Sequence, residues 1–131
     1  MINVKKEGIL LEKTDLEFEN DGVLNPAAIR DGDSVHMFYR AVQKGNRSSI
    51  GYCRLEGSLT VAERSTNAFM IPEFDYESQG VEDVFPTGTV LFGTTLFIYY
   101  GAADSRIACA LLNLPELVDE LLIYKTVKNE K

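Results

Sequence analysis

A handful of positions in this sequence carry residue types that do chemistry. Glu82 and Asp83 stand side by side, and a pair of carboxylates is what general acid and base catalysis uses. On an extended segment, though, adjacent residues point to opposite faces, so a turn cap or an ion pair with a nearby arginine explains them more simply. His36 and Arg40 share one strand face by alternation; a lone histidine in an apolar strand reads as a hydrogen-bonded packing residue, and His36 is left out of the candidates. Asp104 follows Gly101-Ala102-Ala103 and either opens the turn before Ser105 or reaches a ligand. Asn25 precedes Pro26, a position restricted to extended backbone, which aims its amide at a ligand or a backbone group. Cys53 and Cys109 sit in apolar, strand-like surroundings without CxxC spacing or a neighbouring histidine, so buried reduced thiols are expected and no metal or cofactor.

The elements that must position these residues follow from an internal repeat. Asn25 to Tyr39 lies over Phe85 to Tyr99 at an offset of 60, with Pro26 against Pro86 and Tyr39 against Tyr99. After a three-residue shift the match resumes, with Ile50 over Ile107. Each copy reads as a short strand (Ala27 to Arg30; Gly88 to Leu91), a turn with glycine at its tip, and an aromatic, β-branched run (Val35 to Val42; Thr95 to Ala102). A third strand follows, Ser49 to Leu55 or Arg106 to Leu112. The central runs are apolar at nearly every position, which predicts sheets covered on both faces. Ser58 to Gln79 reads as an outer strand and a crossing loop. Leu114, Leu117, Val118, Leu121 and Leu122 keep helical spacing behind Asn113 as a cap and Pro115 in the first turn, with Glu116, Asp119 and Glu120 on the opposite face. That helix is expected on the outside of a sheet.

Thirteen basic against twenty acidic residues give a net charge of −7, and no basic stripe exists beyond the Lys125, Lys128, Lys131 tail, which Glu130 interrupts. Nucleic acid, which needs clustered cations, is excluded on this reading. No apolar run reaches the ~20 residues of a membrane helix, and Met1 to Lys6 leads into Glu7-Gly8, so no membrane partner and a cytoplasmic location are expected. At 131 residues the chain holds one domain. The fold class expected is all-β and propeller-like, with about two blades and one C-terminal helix. Propellers close with about four to eight blades because each covers its neighbour's apolar face, so two blades alone would leave open faces.

Taken in order, Val23-Leu-Asn25-Pro26-Ala-Ala-Ile29, Phe38-Tyr-Arg40-Ala, Ser48-Ser-Ile-Gly51, Gly80-Val-Glu82-Asp83, Val84-Phe-Pro86-Thr-Gly88 and Tyr99-Tyr-Gly-Ala-Ala-Asp104 resemble glycoside hydrolase family 130, the five-bladed β-mannoside phosphorylases and related glycosidases. The resemblance runs from about residue 8 to 122. Residues 1–83 are similar to the family's N-terminal blade region and 84–124 to its C-terminal blade and helix. In the family, Gly-Val-Glu-Asp leads into Pro-Arg and a long middle section; here Asp83 runs directly into Val84. That middle section supplies the family's general acid and most of its phosphate-holding groups. No catalytic residue is therefore assigned. The resemblance implies sugar-binding roles for Asn25, Arg40, Arg47, Ser49, Asp83 and Asp104, on the central face that holds the non-reducing mannose.

Three functions remain open at this level. The chain retains mannoside recognition without catalysis; or copies complete a ring whose composite pocket is a glycosidase or phosphorylase, inverting cleavage needing an acid opposite an activated water or phosphate; or it is a structural fragment. Inorganic phosphate is a partner only in the second case. Two open apolar faces predict self-association as a dimer or trimer in every case.

Overall fold

The computed structural model describes residues 2–77, 84–103 and 106–120, and within them the chain is all-β with one C-terminal helix. Strand β1 (Gly22–Asp31), β2 (Ser34–Gln43), β3 (Arg47–Glu56) and β4 (Thr60–Arg64) form a four-stranded antiparallel meander. A second meander has three strands, β5 (Val84–Phe92), β6 (Thr95–Ala102) and β7 (Arg106–Asn113). Helix α1 covers residues 114–120, and the Asn113 side chain accepts from the Glu116 amide at 3.0 Å, capping it as expected. Leu121, Leu122, the lysine tail and the Gly80-Val81-Glu82-Asp83 motif lie outside the described residues. No helix among the described residues is long and apolar enough to cross a membrane.

The hairpins set the register. Asp31 pairs with Ser34 and Phe92 with Thr95, so both turns are two-residue loops whose first residue, Gly32 or Gly93, has a positive φ of 61° or 59°. Equating these turns places Gly32 on Gly93, an offset of 61 rather than the 60 read from the prolines. The bulges agree. Asn25 and Pro26 together oppose Tyr39, as Pro86 and Thr87 together oppose Tyr100. Tyr39 therefore corresponds to Tyr100, not Tyr99, and Pro26 to Thr87. The proline match misled because a bulge tolerates proline at either of its two residues, and a one-residue slip exchanges every side chain between faces. In the third strands the offset of 57 holds: Tyr39 pairs with Gly51 and Tyr100 with Ala108, which leaves Ile50 equivalent to Ile107.

Phe38, Ile50 and Tyr52 project from the first sheet onto Leu96, Ile98 and Tyr100 of the second, with Val84 and Ala102 beside them. Leu114 and Leu117 of α1 join this cluster, so the helix closes the space between the sheets instead of lying on the outside of one. Strands β1 and β5 are neighbours, with the Thr89 hydroxyl donating to the Ala28 carbonyl at 3.1 Å. Since Phe38, Ile50 and Tyr52 face the second sheet while their equivalents Tyr99, Ile107 and Cys109 face away from the first, the two sheets stack in the same sense, as blades do.

One of the two expected open faces is closed. On the far side of the first sheet, Tyr39, Ala41, Cys53 and Leu55 are buried. The N-terminal segment lies across them. Buried Glu19 accepts from the Tyr39 hydroxyl at 2.6 Å and from the Thr14 hydroxyl at 2.8 Å, and pairs with Arg64 at 2.6 Å. Arg64 also donates to the Glu12 carbonyl and lies over the Tyr39 ring. Burial and the bond to Glu19 push the Tyr39 hydroxyl well above the usual tyrosine range. Among the described residues no segment covers the far face of the second sheet in this way, and β7 alternates between half-buried and exposed instead of being covered on both sides.

Candidate functional site

The start of β1, the end of β2 and the start of β3 meet at one end of the first sheet. Gly22 pairs with Val42 and Val42 with Ser48 there, and Val84 pairs with Ala102 in the corresponding part of the second sheet. Three of the candidates fall at this end, Asn25, Arg40 and Arg47, and Ser49 is beside them on the chain. Asp83 and Asp104 lie outside the described residues.

Arg40 is the best-positioned of these side chains. Its Nε donates to the Ser48 hydroxyl at 2.9 Å, and its guanidinium lies 5.3 Å from the centroid of the Phe85 ring. A planar cation on an aromatic face is held in plane, which fixes the direction of the whole guanidinium fork. This contact ties the first sheet to the start of β5. Ser48 and Phe85 were not singled out in the sequence. The loop Lys44-Gly45-Asn46, with positive φ at Gly45 and Asn46, pins Gln43 to Arg47; counting back from that turn puts Ser48 on the Arg40 face. Ser49 pairs with Ala41, is buried, and faces the N-terminal segment, away from Arg40.

Asn25 is exposed, but its backbone is not the extended one expected before proline: φ is 51°. The bulge is the cause. With two β1 residues opposing Tyr39, the first turns into the left-handed region, which asparagine tolerates better than most residues. Arg47 is exposed at the start of β3.

Among the described residues Asn25 and Arg40 have no counterpart in the second sheet. The position equivalent to Arg40 is Gly101, and the one equivalent to Asn25 is Pro86. Neither can offer a polar side chain, so the second sheet does not duplicate Asn25 and Arg40.

Other chemistry-bearing groups lie elsewhere. His36 is buried towards the opposite end and shares a 2.6 Å hydrogen bond with the Tyr52 hydroxyl; burial lowers its pKa, keeping the ring neutral. It is the packing residue expected. Cys53 is buried and burial raises its thiol pKa to about 11, whereas Cys109 is exposed on the bare face of the second sheet, contrary to expectation. The apolar surroundings read for Cys109 belong to a face that no described residue covers. Among the described residues no group of His, Cys, Asp and Glu is arranged to hold a metal ion.

Comparison with known proteins agrees with this architecture. The family model for beta-1,4-mannooligosaccharide phosphorylase matches residues 25–122. A beta-1,2-mannobiose phosphorylase of Thermoanaerobacter sp. is 29% identical over 100 residues, 73% of this chain and 33% of that protein. A 1,2-beta-oligomannan phosphorylase of the same organism is 28% identical over 93 residues, 68% of this chain and 31% of its own length. Among solved structures, the beta-1,2-mannobiose phosphorylase of Listeria innocua, in complex with beta-1,2-mannobiose, superposes with a TM-score of 0.79 at 27% identity, over 87% of this chain and 34% of that one. The chain thus spans about a third of the length of these relatives. With the blade-like stacking of its sheets and a family match over most of its length, the chain belongs to glycoside hydrolase family 130.

Proposed function

We propose that this chain recognises a β-mannoside at the shared end of its two sheets, without carrying out catalysis itself. Asn25, Arg40 and Arg47 supply hydroxyl-binding groups from the first sheet, and Asp83 and Asp104 supply carboxylates from the ends of the second. Ser49 is buried on the reverse face, and Ser48 stands beside Arg40 in its place. The carrying observation is the seating of Arg40 between Ser48 and Phe85, next to the left-handed Asn25. The names of the relatives, which act on mannobiose and oligomannan, support the substrate class.

Titration calorimetry with beta-1,2-mannobiose tests the reading. The unmodified chain should bind, and Arg40→Ala and Asp104→Ala should each weaken binding about tenfold or more, the loss of one or two charge-assisted hydrogen bonds. Their thermal midpoints should move by a few degrees at most. No binding by the unmodified chain rejects the proposal. Phosphate-dependent release of mannose 1-phosphate would replace it with the composite enzyme.

A further inference from the structure

The bare face of the second sheet fits a second copy of this chain. We propose that two chains associate through it about a two-fold axis, giving a stack of four sheets whose outer ends are both closed by N-terminal segments. This goes beyond the sugar-binding reading and stands or falls without it.

Three observations carry the proposal. The first is area. Ile107 is 81% exposed, Leu111 68% and Phe92 65%, with Tyr99 and Val90 partly bare between them. At roughly 150–200 Å² per large side chain, these five expose on the order of 500 Å² per copy, the upper end of what soluble monomers leave uncovered. Two copies remove about 1,000 Å² of apolar surface before any rim is counted, which reaches the size of specific interfaces.

The second observation is charge. The side chains that the register puts on this face are Phe85, Gly88, Val90 and Phe92 from β5, Thr95, Phe97, Tyr99 and Gly101 from β6, and Ile107, Cys109, Leu111 and Asn113 from β7. None is charged, in a chain whose net charge is −7. Two copies can therefore meet here without opposing like charges across the centre of the contact, while their acidic surfaces repel other approaches.

The third is the state of the opposite face. A ring built head to tail needs the bare face of one copy against the far face of the first sheet in the next. That far face is occupied by the N-terminal segment, held through the buried Glu19, Arg64 and Tyr39. A two-fold contact uses only the bare face and presents the same patch from both sides. It also ends at two chains, where a head-to-tail contact would give a trimer or an open fibre. Antiparallel sheets of this kind pack face to face in the aligned manner of sandwiches.

Light scattering behind size exclusion on the full chain, across a concentration series, should give a mass near twice 14.6 kDa. The double variant Ile107→Lys with Leu111→Lys should return it to the monomer mass while keeping its circular dichroism. A second readout needs no variant: maleimide labelling of Cys109 should slow as protein concentration rises, because the thiol is covered in the dimer. A monomer at every concentration, a mass of three chains or more, a dimer indifferent to the double variant, or labelling independent of concentration each overturns the proposal.

Discussion

Ile50 and Ile107 occupy the same position in two sheets built to one plan, yet Ile50 is buried and Ile107 is exposed. Nothing in their own strands accounts for this. Ile50 has the second sheet in front of it, and Ile107 has no sheet. The same contrast runs through Phe38 and Tyr99, and through Tyr52 and Cys109. Burial here belongs to the stacking order of the sheets more than to the residue or the strand. On the opposite faces, Tyr39 and Tyr100 are both buried by different means: Tyr100 by the first sheet, Tyr39 by an N-terminal segment that takes the place of a sheet.

The largest effect is expected from removing what covers Tyr39. Glu19→Ala leaves the Arg64 guanidinium without its carboxylate and the Tyr39 hydroxyl without its acceptor. Breaking a buried pair from one side costs about 3–5 kcal/mol; with Arg64 partly exposed, about 3 kcal/mol is expected. Urea unfolding measures it directly. With the segment released, the first sheet would be as bare as the second, and light scattering should show association beyond the dimer. A change under about 0.5 kcal/mol, the range of ordinary surface substitutions, would mean that Glu19 does not hold the segment.

A finer comparison lies in one cross-strand pair. Tyr39 lies over Gly51, and a β-carbon at Gly51 would fall well inside contact distance of its ring. In the second sheet the equivalent pair is Tyr100 with Ala108, where the methyl group is present. Gly51→Ala should cost about 2 kcal/mol by overpacking, because Tyr39 is held by Glu19 and Arg64 and cannot swing away. The reciprocal Ala108→Gly should cost only about 0.5–1 kcal/mol, the backbone term of glycine in a strand. Equal costs at the two sites would show that Tyr39 is freer than its bonds imply.

Much of this was legible in the residues, and what escaped has physical causes. The strands came from their aromatic and β-branched runs, the helix from its spacing and Asn113, and the family from motifs spread across both sheets. The register came out one residue off, because proline in a two-residue bulge does not say which of the two it occupies; the glycine at each hairpin tip, Gly32 and Gly93, was the better anchor. Arg40 was found by its motif, but its partners were not: Ser48 depends on that same register, and Phe85 reaches Arg40 only when the sheets stack. The role of Glu19 had no signal, since an acidic residue in a polar N-terminal stretch reads as solvated until a tyrosine and an arginine from distant strands meet it. The covered face followed from the same omission.

The smallest effect separates the two cysteines. At mildly alkaline pH and protein concentrations low enough to keep the chain monomeric, one thiol per chain should label promptly, Cys109 on the bare face, and Cys53 only as the protein unfolds. Burial raises the Cys53 thiol from 9.0 to about 11, so the folded chain keeps a proton that the unfolded chain gives up. The unfolded state then binds fewer protons, and stability must fall as pH rises. This contribution is fully present below pH 9 and is lost progressively towards pH 11. The buried tyrosines, whose ordinary pKa is 10.0, add losses of the same sign slightly higher. Between pH 9 and 10 the slope should therefore belong mostly to Cys53, and Cys53→Ala should flatten the urea midpoint there. A slope unchanged in that variant would assign the early loss to another group, and would mean that the face under the N-terminal segment is wetter than its burial indicates.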